Sequence, residues 1–117
     1  MERTKIYKEK VLEQNKYFLA TLLENSNSCI VLLSENKDKF GTLAIAVPKP
    51  KGLLGSVSSS LLLGDKNAIS ARMFAEYIAA KKEKIVLVSV YLKKHSETEA
   101  QSFFKELIDK ILQKNGA

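Results

Sequence analysis

Residues 84–92, Lys84-Ile85-Val86-Leu87-Val88-Ser89-Val90-Tyr91-Leu92, constrain the fold more than any other stretch of the chain. In an extended strand successive side chains alternate between faces. Ile85, Leu87, Val86, Val88 and Val90 therefore make both faces apolar, which predicts a central strand covered on two sides. Residues 29–33, Cys29-Ile30-Val31-Leu32-Leu33, form a second, shorter run of the same kind.

Around these runs the chain reads as strands first and helices later. Residues 5–13 and 16–23 are predicted strands joined at Gln14-Asn15, a polar pair suited to a tight hairpin turn. Asn25-Ser26-Asn27 breaks the pattern before residues 29–33, and Glu35-Asn36-Lys37-Asp38-Lys39 reads as a solvated turn. Gly41 to Val47 alternates large and small residues, as a strand with one face under helices does. Four strands in succession imply antiparallel neighbours.

Pro48-Lys49-Pro50-Lys51-Gly52-Leu53-Leu54-Gly55 cannot continue a sheet, because prolines lack the amide donor. It reads as a loop. Lys49, Lys51, Leu53 and Leu54 are its candidate partner-contacting residues, with leucines folded back on the core as the plainer alternative. Val57 to Leu63 is a predicted strand ended by Gly64. Asp65 or Asn67 then caps a helix running to about Lys82. The apolar side of that helix is too wide for packing on a sheet alone, leaving Arg72, Glu76 and Ala79 as its solvent strip. Ile69, Met73 and Tyr77 are the candidate self-association residues on the surplus face. A last helix starts at Ser96, with Glu99 three residues on as a capping box. Its single apolar stripe is Ala100, Phe103, Phe104, Leu107, Ile108, Ile111 and Leu112.

The expected architecture is therefore α+β. A single mixed, mostly antiparallel sheet of about six strands carries two helices, in one domain spanning residues 1–117. No apolar run reaches the length of a membrane span. The start, Met1-Glu2-Arg3-Thr4-Lys5, has no apolar core after its positive charge, which points to a cytoplasmic protein without membrane contact.

Residues that do chemistry are scarce. The chain has one cysteine, one histidine and no tryptophan. Cys29 sits in an apolar strand, where a thiol is inert, and His95 reads as an exposed linker residue. One histidine and one cysteine do not make a zinc site. Gly55-Ser56-Val57-Ser58-Ser59 is not a nucleophile elbow, and no phosphate-binding glycine loop is present. The expectation is a non-catalytic protein with no metal and no cofactor. A net charge of +6 is spread along the sequence rather than gathered into a stripe. That argues against nucleic acid and for acidic protein surfaces as partners.

Phe40-Gly41-Thr42-Leu43, Ser60-Leu61-Leu62-Leu63-Gly64, the helix from Ala68 to Ala80 and Ile85-Val86-Leu87-Val88-Ser89-Val90 follow one another in an order that resembles the proteasome assembly chaperones of types three and four, particularly their archaeal homologues. The resemblance spans about residues 4 to 113. It implies an ATP-independent chaperone that binds proteasome α-subunits transiently during α-ring assembly. It also implies a homo-oligomer or a heterodimer with a paralogous chaperone, and it carries over no catalytic residue. Two alternatives stand beside it. One is a small dimerisation scaffold of the roadblock or longin kind, which places a helix among the early strands. The other is a basic nucleic-acid-binding domain.

Overall fold

The computed structural model describes residues 3–49 and 57–114. Its elements are β1 (Lys5–Glu13), β2 (Lys16–Glu24), β3 (Ser28–Glu35), β4 (Thr42–Val47), β5 (Ser58–Leu63), α1 (Ala68–Lys82), β6 (Ile85–Tyr91) and α2 (Glu97–Lys114). One six-stranded sheet runs in the order β1-β2-β3-β6-β4-β5. The β3–β6 pair is parallel and the other pairs are antiparallel. The expected α+β class, with a mixed and mostly antiparallel sheet carrying two helices, is therefore what the chain adopts.

Gln14 and Asn15 both take positive φ, the backbone that a two-residue hairpin turn needs to match the strand twist. The successive pairing expected of the first four strands holds only for the first three. β6 enters between β3 and β4, because its two apolar faces are best buried at the middle of the sheet. The β3–β4 connection must then cross the end of β6. Gly41 makes that crossing: a Cβ there would lie 2.2 Å from the Val90 carbonyl oxygen. Ser89 Oγ accepts the Gly41 N–H at 2.8 Å.

Both helices lie on one face of the sheet, α1 over β4, β5 and β6 and α2 over β1 and β2. Ala71, Ala75 and Ala79 of α1 and Ala44 and Ala46 of β4 are all fully buried. These small side chains let the helix approach the sheet closely. Ala79, expected in the solvent strip, is buried because it continues the i+4 row of Ala71 and Ala75. Beneath α2, Phe18 forms an aromatic cluster with Phe103 and Phe104, at centroid distances of 4.9 and 5.6 Å.

Helix ends are satisfied by side chains from both near and far. Ser96 and Glu99 form the expected capping box: the Ser96 N–H donates to Glu99 Oε1 at 3.1 Å, and the Glu99 N–H donates to Ser96 Oγ at 3.3 Å. Asn67 occupies the N-cap of α1 in a left-handed conformation without a side-chain capping bond. Glu97 of α2 supplies the acceptor instead, taking the Ser70 N–H at 2.7 Å.

His95 is not the exposed linker residue expected. Glu35, only 3% exposed, accepts the N–H groups of Lys94 and His95 at 3.1 and 2.9 Å. His95 Nδ1 lies 3.3 Å from the same carboxylate, Nε2 lies 3.2 Å from Gln14 Oε1, and the ring stands edge-on to Phe18. This clamp joins the end of β3 to the entry of α2. Burial pushes the Glu35 carboxyl up, but the amide donors of His95 and Lys94 and the His95 ring outweigh it. The group is held below its ordinary value. A carboxyl lowered on folding stabilises the protein above its unfolded pKa and loses that contribution as pH falls through the folded value. Glu35→Gln is expected to cost about 1–3 kcal/mol at neutral pH. Urea titrations should show the gap between variant and wild type closing in acid. A gap that persists unchanged would contradict the clamp.

Candidate protein-binding surface

The register divides the sheet into two unlike faces. Phe18, Ala20, Leu22, Cys29, Val31, Leu33, Ala44, Ala46, Val86, Val88 and Val90 point toward the helices and form the core. Their alternating neighbours point the other way, where neither of the described helices lies. Pairing sets Leu23 beside Ile30, Ile30 beside Leu87, and Leu87 beside Ile45, a continuous apolar row across β2, β3, β6 and β4. Leu32 lies beside Thr21 and Ser89 in the adjacent row. Ile30 is 36% exposed and Ile85 38%, with Leu12, Tyr17 and Val47 more exposed toward the margins.

An isolated exposed leucine needs no explanation, but a contiguous apolar face marks an interaction surface. The helices cover only one side of the layer that β3 and β6 create. Buried small polar groups tie down the open side near its end. Ser34 Oγ pairs with the backbone of Lys39, and Ser89 Oγ with Gly41.

The other candidate surfaces fall elsewhere. Ile69 and Met73 of α1 project from the helix, Ile69 being 72% exposed. Tyr77 does not join them: its hydroxyl donates to Asp109 of α2 at 2.7 Å, and Lys105 Nζ sits 4.6 Å from its ring centroid. Part of the surplus apolar width of α1 is thus used against α2. Lys49 is exposed at the end of the described segment after β4, and Lys51, Leu53 and Leu54 lie outside the described residues.

Burial first, then the charge of Glu24, pushes the Cys29 thiol up to about 11, so it stays protonated at neutral pH. Glu24 is itself engaged by Lys82 and Lys84 at 2.7 and 2.9 Å, which ties the end of α1 to β2. No group of three metal-ligating side chains occurs among the described residues, and none of their helices is long and apolar enough to cross a membrane.

No protein-family model matches the sequence, and no curated protein matches it. Among solved structures, the chain is similar to one in the crystal structure of a novel chaperone complex for yeast 20S proteasome assembly. The TM-score is 0.67 at 13% identity, covering 94% of this chain and 93% of that one. At that identity the likeness shows a shared fold.

The two faces differ in what they contribute to the isolated chain. In dilute protein Val31→Ala, on the helix side, is expected to cost about 2 kcal/mol. Ile30→Ala, on the open side, should cost less than about 1 kcal/mol although it removes a larger side chain. Equal losses in denaturant melts would mean that the open face is not open.

Proposed function

We propose that this chain is a non-catalytic assembly chaperone that acts without ATP. It binds proteasome α-subunits transiently, and its open sheet face is covered by a second copy or by a paralogous chain. The observation that carries the reading is the pairing of a proteasome-chaperone fold with a broad apolar face that its own helices leave bare. Residues 5–24 form two strands without a helix, the order that separates this reading from a roadblock or longin scaffold.

The size of the face suits association. Six strands about 4.8 Å apart and about 20 Å long give a planar area of roughly 600 Å². A standard interface takes roughly 800 Å² from each partner. The sheet face is preferred here over α1 for self-association, because Tyr77 is engaged by Asp109 of α2 and only Ile69 and Met73 of the three candidates project freely. Those two residues and the exposed Lys49 are candidate client contacts; Lys51, Leu53 and Leu54 are proposed as client contacts from the sequence alone. A cytoplasmic location accompanies the reading, since that is where proteasome α-subunits assemble.

Two measurements test it. Affinity capture from native lysate of the source cells, read by mass spectrometry, should recover proteasome α-subunits, and their absence would contradict the chaperone role. Ile30→Glu with Leu87→Glu should convert an associated species to a monomer in sedimentation velocity without loss of fold. A wild-type chain that sediments as a monomer when pure, and with no paralogous partner in the capture, would remove the covered face from the account.

A further inference from the structure

Five lysines from three stretches remote in sequence meet at one end of the sheet. Lys16 opens β2, Lys37 and Lys39 lie in the β3–β4 connection, and Lys93 and Lys94 follow β6. With Glu35, Asn36 and Tyr91 they line a cavity of about 170 Å³. The topology creates it. Because β6 lies between β3 and β4, residues 36–41 cross its end and are brought beside the chain leading into α2.

The single carboxylate in this wall is already committed. Glu35 spends its oxygens on the Lys94 and His95 amides and the His95 ring. Among the described residues, the lysines found in ion pairs are Lys82, Lys84, Lys105, Lys110 and Lys114, and none of these lines the cavity. Lys39 Nζ instead lies 5.2 Å from the Tyr91 ring centroid. Five lysines against one carboxylate account for most of the chain's +6, so a charge excess that is spread along the sequence is gathered in space. Like charges held around a concavity focus a positive potential that an incoming anion relieves.

We propose that this cavity is a binding site for an acidic segment of a partner protein, taking aspartate or glutamate carboxylates among the lysines. The wall contains no arginine fork for bidentate phosphate recognition and no glycine-rich backbone cradle. Its one aromatic ring, Tyr91, has Lys39 over it, so it offers no free platform for stacking a base. Lysine ammonium groups are flexible point charges, suited to carboxylates that arrive singly on a peptide. The site goes beyond the chaperone reading and does not depend on the open sheet face.

Fluorescence anisotropy with a labelled glutamate-rich peptide, at about 150 mM salt, tests this directly. Lys37→Glu with Lys93→Glu reverses two exposed lysines of the cavity. Lys5→Glu with Lys66→Glu makes the same charge change at exposed positions elsewhere. The cavity variant should lose affinity about tenfold or more, and the control less than about twofold. Three results would overturn the proposal: no peptide binding by the wild type, an equal loss in both variants, or tighter binding of a single-stranded oligonucleotide of the same charge. A site confirmed here alongside a lysate capture without α-subunits would reject the chaperone reading alone.

Discussion

The parallel pairing of β3 with β6 is the contact on which the rest of the molecule depends. It places the two strands that are apolar on both faces at the centre of the sheet, in register from Ser28 beside Ile85 to Ser34 beside Tyr91. On one side Val31, Leu33, Val86, Val88 and Val90 meet the helices and make the core. On the other, Ile30, Leu32 and Leu87 receive no covering helix among the described residues. The insertion of β6 also forces residues 36–41 across its end, which both requires glycine at position 41 and assembles the lysine-lined cavity. One topological choice thus produces the core, the bare face and the charged end.

Much of this was legible in the sequence. The alternation and the turn residues located every strand and helix, and the Ser96/Glu99 spacing marked the start of α2. The doubly apolar character of residues 29–33 and 85–90 was also visible, and it already implied a second covering layer. What the sequence did not reveal was which layer was missing. Two helices of 15 and 18 residues are enough to cover one face of six strands, not both, and they sit on the same side. The surplus apolar width of α1 drew attention to Ile69, Met73 and Tyr77, yet Tyr77 is used inside the fold through Asp109. The strand order was hidden for a related reason: local pattern gives the faces of a strand, while its neighbours are decided by how much apolar area each position buries.

Charge behaves similarly. No run of lysines in the sequence is dense enough to signal a site, because Lys16, the 37–39 pair and the 93–94 pair are brought together only by the fold. The role of His95 is hidden in the sequence for the same reason. Its polar neighbours in sequence suggest solvent, whereas Glu35, 60 residues away, and the edge of Phe18 make it part of the packing between β3 and α2. Isolated polar residues take their meaning from tertiary partners. The carboxylates Glu24 and Glu35 show it from the opposite side, each half of a long-range tie between strand and helix.

The central physical claim is that the bare side of the sheet is a docking layer for another polypeptide. Methyl-resolved NMR of the wild-type chain, with a soluble paramagnetic agent and with its partner present where a second chain is required, reads that layer residue by residue. Shielding of the Ile30, Leu32, Ile45 and Leu87 methyls is expected, while the projecting Ile69 methyls remain bleached. Bleaching of all five to the same degree would contradict it.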